Sequence, residues 1–166
     1  MPEFVTSEIT RKAYLGKHAQ DLVALSSEQV AVVYQQRGII IPVEVSSTLS
    51  VIALGDSETV TGIAEVLGVA HQLAAKRLSR LVELGLVTKT PDPDDKRRTV
   101  ISITETGQDQ ARRLEQCMAE MSEVYGQLYE EIECDLAAAL QAAMDHLRAK
   151  PLVERFAERD QFQDAG

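Results

Sequence analysis

The chain has 166 residues, 45% hydrophobic and 26% charged, with a net charge of −9; that is a globular composition with no repeat or low-complexity tract. No apolar run approaches about 18 residues, and Met1-Pro2-Glu3-Phe4 opens without a basic and then an apolar stretch. Nothing therefore indicates export or a membrane span, and a cytoplasmic protein is expected.

Residues 6 to 37 are helical in character, with Ile9, Ala13, Leu22, Val30, Val33 and Tyr34 among the apolar positions, and Gly38 ends the run. Ser26 and Gln29 have the spacing of a capping box, so the pattern allows one long helix or two. Ile39-Ile40-Ile41 is strand-like in composition, but Pro42 follows at once and suits the first turn of a helix. Val45, Leu49, Ile52 and Ala53 continue that helix, and Gly55-Asp56-Ser57 is a turn.

From Thr59 a hydroxyl cap opens a short helix with Ile63, Ala64 and Leu67 on one face, and Gly68 ends it. After only Val69 and Ala70 a second helix runs from His71 to Leu84, closed by Gly85, which is the spacing of a helix-turn-helix. At 100° per residue Leu78 and Leu81 fall within about 40° of Ala74, forming a buried seam. Gln72, Lys76, Ser79 and Glu83 fall on the opposite face with Arg80 on its flank, and such groups can reach base edges and phosphates.

Beyond Gly85 the period changes. Leu86 to Thr90 and Arg98 to Thr104 are β-branched and partly alternating, and the breaker-rich Pro91-Asp92-Pro93-Asp94-Asp95-Lys96 lies between them, which predicts a hairpin with a charged tip. Lys96, Arg97 and Arg98 at the tip can lay cations along a phosphate backbone or into a minor groove. The net acidity argues against a polyanion partner, but the distribution does not. From Thr61 to Thr104 seven Lys or Arg stand against five acids, a local balance of +2 that leaves −11 for the rest of the chain.

Thr104-Glu105-Thr106-Gly107 opens a long regular helix in which Ala111, Leu114, Met118, Met121, Tyr125, Leu128 and Ile132 repeat at alternating spacings of 3 and 4, the seam of a coiled coil that needs a partner helix. Leu136, Leu140, Ala143 and Leu147 supply a further helical row, and the acids Glu130, Glu131, Glu133 and Asp135 favour a helix start at the join. Pro151 stops that helix, Val153, Phe156 and Ala157 suggest one further short turn, and the tail from Gln161 is expected to fray.

At Leu67-Gly68-Val69, at Arg80-Leu81 leading into Leu84-Gly85-Leu86-Val87, and at Asp92-Pro93-Asp94-Asp95-Lys96-Arg97-Arg98 leading into Ile103-Thr104-Glu105-Thr106-Gly107, the chain resembles the MarR family of bacterial winged-helix transcription regulators. The resemblance is strong from Thr59 to Gly107 and architectural elsewhere. It implies a mainly α fold with a small β-hairpin wing, a winged helix-turn-helix with flanking dimerisation helices. It implies that Arg97 enters the minor groove while Asp95 holds it. Ala70 departs from the family pattern where a capping side chain is usual, Leu73 where a small polar residue faces DNA, and Arg77 where an aliphatic residue packs.

The domain organisation expected is a helical dimerisation segment over 1–40, the winged helix-turn-helix over 41–104, carboxy-terminal dimerisation helices over 105–160 and a tail over 161–166, in one compact subunit. The candidate DNA-contacting residues are Thr61, His71, Gln72, Ala75, Lys76, Ser79, Arg80, Lys96, Arg97 and Arg98, with Asp95 supporting the wing. The partners implied are a pseudo-palindromic double-stranded operator and a second copy of the chain, the seam closing alternatively within one subunit as a helical hairpin. A small-molecule effector that relieves a repressor is implied too, without a pocket being named.

No enzyme is expected, since no GxSxG, P-loop, GxGxxG or HExxH motif occurs and His18, His71 and His146 stand on separate elements, so no catalytic or metal site and no cofactor is proposed. The few aromatics, three Phe and four Tyr without Trp, argue against a base-stacking single-strand binder. Two other classes stay open: a winged helix that binds protein instead of DNA, and a thiol-based redox regulator using Cys117 or Cys134, which lack a CxxC spacing and have few local cations to lower their pKa.

Overall fold

The computed structural model describes residues 12–91 and 99–164. The chain divides into two compact units, Met1–Met118 and Ala119–Gly166.

In the first unit α1 (Leu15–Gln36) is one uninterrupted helix. Ser26 and Ser27 sit inside it, because neither Gly nor Pro falls between Gly16 and Gly38 and an interior serine costs only about half a kcal/mol, less than nucleating a second helix. Val30 and Tyr34 are its buried residues, while Leu22 from the expected apolar set is exposed. Past Gly38, Ile39 and Ile41 are buried and Ile40 is exposed, yet among the described residues this stretch pairs with no strand.

Helix α2 (Val43–Leu54) begins just after Pro42, which therefore stands as its N-cap and not inside its first turn. Val45, Thr48, Leu49, Val51 and Ile52 are buried, whereas Ala53, expected in the core, is exposed. Ala53 lies about 80° round the helix from Val45 and faces an open cavity described below. The next helices are α3 (Val60–Leu67) and α4 (His71–Glu83). Both close on a glycine with positive φ, Gly68 at 61° and Gly85 at 69°. After α4 the N–H of Gly85 reaches the Val82 carbonyl at 2.9 Å and that of Leu86 reaches Leu81 at 3.0 Å, a Schellman closure. Val69 closes on Ala64 in the same way at 3.0 Å.

Strands β1 (Val87–Pro91) and β2 (Thr99–Ile103) pair antiparallel, with Val87 opposite Ile103 and Pro91 opposite Thr99. Pro91, expected in the loop, belongs to the stem; it takes the last pair of the strand, where its missing N–H removes little from the ladder. Ile101 donates from its backbone to the Glu58 carbonyl at 3.0 Å, which ties the hairpin to the segment entering α3.

Helix α5 (Glu105–Glu131) starts where the sequence places it, but its buried row differs. Of the expected seam only Leu114 is buried; Ala111 is half-buried and Met118 exposed. The row that packs is Gly107, Gln110, Leu114 and Cys117, turned by roughly 50°. An apolarity pattern passes over two of these, a glycine whose backbone is approached by another backbone and a glutamine whose amide is paired.

In the second unit Asp135 caps α6 (Leu136–Ala149), accepting from the Ala138 N–H at 2.9 Å. No residue of α6 is buried. Helix α7 (Leu152–Asp164) is thirteen residues long instead of one short turn. No breaker follows Pro151 before the chain end. The Arg155 guanidinium donates to the carbonyls of His146 at 2.9 Å and Lys150 at 3.0 Å, satisfying the end of α6. Lys150 pairs with Glu158 across the same corner.

Candidate nucleic-acid interface

The interface is organised by α3, α4 and the hairpin. Thr59 holds the start of α3, its hydroxyl accepting from the Gly62 N–H at 3.1 Å. Helix α4 opens without such a cap, since Ala70 has no side-chain acceptor to offer. Ala74, Leu78 and Leu81 are fully buried, the seam expected from the sequence, and they fix which face of α4 turns outward.

On that outward face His71, Gln72, Lys76, Ser79 and Arg80 are all exposed, and Ala75 is half-buried beside them. Thr61 is exposed on α3. Two of these side chains are already engaged. Ser79 donates its hydroxyl proton back to the Ala75 carbonyl at 3.0 Å, and Arg80 pairs with Glu83 at 2.9 Å. Lys76 has no ion pair among the described residues. Leu73 adds an apolar side chain, 41% exposed, to the same helix. Asp95, Lys96, Arg97 and Arg98 lie outside the described residues, whereas the stem that carries them is in place.

The hairpin is locked to α4 and α5 at a corner that sequence reasoning missed. Thr104 donates its hydroxyl to the Gly85 carbonyl at 2.7 Å, accepts from the Gly107 N–H at 3.0 Å, and donates its own N–H to the Leu86 carbonyl at 3.0 Å. Gly107 completes it, because a Cβ there would lie 2.0 Å from the Leu86 oxygen. The available signal was a glycine in the first turn of a helix, where it is otherwise unfavourable. The orientation of the wing stem thus follows from backbone contacts and not from side-chain packing alone.

Two concavities flank this unit. A cavity of about 470 Å³ lies between α2, β2 and the start of α5, with Leu54, Ile103 and Met118 as apolar walls and Ser50, Gln108, Arg112 and Glu115 as polar ones. A groove of about 370 Å³ runs between the start of α2 and α4, lined by Glu44, Val45, Lys76, Arg77, Arg80 and Glu83 among others.

Residues 41–98 match the family model described as the MarR family. This segment is similar to the MarR family. The whole chain has the fold of the MarR transcription regulators. It superposes on a MarR family transcription regulator with a TM-score of 0.64 at 15% identity, over 90% of this chain and 98% of that one. It superposes on a MarR family regulator from Neisseria meningitidis at 0.57 and 21%, over 90% and 98%. The heme sensor protein PefR from Streptococcus agalactiae, in complex with heme, gives 0.57 at 14%, over 84% and 96%. At these identities the likeness is one of fold. No curated protein matches the sequence. Within the MarR-type unit the two helices and the stem stand in the order that the resemblance implies, and no helix among the described residues is long and apolar enough to cross a membrane.

Proposed function

We propose that the chain is a sequence-specific double-stranded DNA-binding transcription regulator that works as a homodimer. The observation that carries this reading is the exposed polar row His71, Gln72, Lys76, Ser79 and Arg80, presented by a helix whose opposite side is buried, inside a segment matching the MarR family. Gln72 and Ser79 read base edges. Lys76, Arg80, Lys96, Arg97 and Arg98 meet phosphates or the minor groove, Asp95 orients the wing, and Thr61, His71 and Ala75 complete the contact surface.

The flanking segments, 1–40 and 105–160, form the dimer. Leu15, Leu22, Val23, Leu25 and Val32 of α1 are exposed in the single chain, as are Leu140, Met144 and Leu147 of α6, and a second copy gives such faces a partner. The 470 Å³ cavity, with apolar walls and the Arg112 guanidinium and Glu115 carboxylate at its rim, suits a small amphipathic effector that favours one arrangement of α2 and so relieves repression. Cys117 is buried, which removes the accessibility a thiol sensor needs, and Cys134 is exposed.

Selection of bound duplexes from a random pool, followed by sedimentation of the complex, tests this. The expected result is a two-fold site with half-site centres about 10 to 10.5 base pairs apart, bound by two chains. Recovery of no enriched sequence, or binding by a single chain, overturns it.

A further inference from the structure

Arg77 lies about 60° from the buried seam of α4, half-buried, on the wall of the groove shared with the start of α2. A guanidinium stays charged and presents five N–H donors, so partial loss of water leaves it in need of an acceptor. Among the described residues it has none, since Glu83 is held by Arg80 and Glu44 on the opposite wall forms no ion pair. Lys76, next to it on α4, is unpaired as well. Among the described residues the groove therefore holds two uncompensated cations, Lys76 and Arg77, against one uncompensated acid, Glu44.

Resting on the DNA-binding reading above, we propose that this groove seats a backbone phosphate of the duplex, with Arg77 as the group that grips it and Glu44 as the group that opposes it. A phosphodiester carries two oxygens at the spacing of the guanidinium fork, and 370 Å³ is room enough for the group. The groove opens beside Ser79 and Arg80, so a phosphate seated there fixes the register of α4 against the bases. Glu44, from another helix, limits how firmly any phosphate is held and so restrains binding to arbitrary sequence.

Phosphate contacts form on any duplex, so the probe is a fluorescein-labelled duplex of mixed sequence, roughly three helical turns long, titrated by anisotropy over a range of salt. Arg77→Leu is expected to lower the slope of log affinity against log salt by about 0.9. Arg77→Lys keeps the slope but binds roughly tenfold more weakly, having lost the fork. Glu44→Gln is expected to bind roughly twofold to fivefold more tightly. Circular dichroism reports folding of each variant, and Arg77→Lys together with Glu44→Gln carries the test if Arg77→Leu does not fold. Wild-type binding with an unchanged slope in folded Arg77→Leu, or unchanged affinity in both other variants, overturns the role of Arg77 alone. A wild type that binds no duplex at low salt overturns the DNA-binding reading itself. Calorimetry with inorganic phosphate separates the remaining source: saturable binding to the wild type, with the duplex slope unchanged by Arg77→Leu, places a free anion in the groove and overturns the duplex assignment.

Discussion

Thr48 is fully buried in α2, and its hydroxyl oxygen has no hydrogen-bond partner among the described residues. Leaving a buried hydroxyl unpaired costs about 1 to 3 kcal/mol, whereas valine has nearly the same shape and no polar atom. Thr48→Val is therefore expected to raise stability by about 1 kcal/mol, read as a higher urea midpoint with an unchanged slope. A lower midpoint would show that the hydroxyl finds a partner in solution. Gly107 makes the opposite case. The nearest atom to an added Cβ is the Leu86 carbonyl oxygen at 2.0 Å, ahead of Ile103 Cγ1 at 2.8 Å and the Leu86 carbonyl carbon at 2.9 Å, and backbone cannot rotate away as a side chain does. Gly107→Ala is expected to destabilise the first unit by about 3 kcal/mol or more, since the helix start and the wing base must separate. A midpoint within error of wild type would mean that this corner is looser than its hydrogen bonds indicate.

Among the elements, those read correctly from sequence were the ones whose own residues determine them. The α4 seam follows from the 3.6-residue period of Ala74, Leu78 and Leu81, and its end from Gly85. The face of α5 was not legible, because Gln110 is buried for a reason that lies 70 residues away. Its amide oxygen accepts from the Ile40 N–H at 2.9 Å and its amide nitrogen donates to the Gly38 carbonyl at 3.2 Å. That one side chain pairs backbone groups of this segment as a neighbouring strand would, while among the described residues Ile39-Ile40-Ile41, strand-like in composition, belongs to no sheet. The groove at Arg77 was hidden for a similar reason, since its other wall comes from α2. On the exposed side of α5, Asp109 accepts from Arg113 at 2.8 Å and from Arg112 at 3.3 Å. The Arg113 hydrogen bond holds the Asp109 carboxyl below its ordinary value. A lowered folded-state value contributes stability that is present above the unfolded-state value and is lost as pH falls through the folded one. Asp109→Asn removes that contribution, so the variant's thermal midpoint should fall less steeply than wild type's as the solution is acidified below the ordinary carboxylate range. Parallel acid limbs would show that the pair is screened away by solvent.

For the whole molecule, the proposed dimer and the proposed DNA complex respond to salt with opposite signs. Each chain carries −9, so two chains that associate through apolar faces such as Leu140, Met144 and Leu147 do so against their own repulsion. Salt screens that repulsion over a Debye length of about 30 Å at 0.01 M and about 8 Å at 0.15 M, while burial of apolar surface is not weakened by it. Duplex binding behaves in the reverse sense, because phosphate contacts release counterions. Sedimentation of the free protein at micromolar concentration is therefore expected to show the dimer fraction rising between these two ionic strengths. Affinity for a duplex should fall over the same interval. Since two-fold recognition requires the dimer, binding to a palindromic site at low protein concentration should pass through a maximum in salt, whereas binding to a single half-site should only decline. A dimer that dissociates as salt is added would show that ion pairs across the interface hold it, and the exposed apolar side chains of α6 would then need another partner.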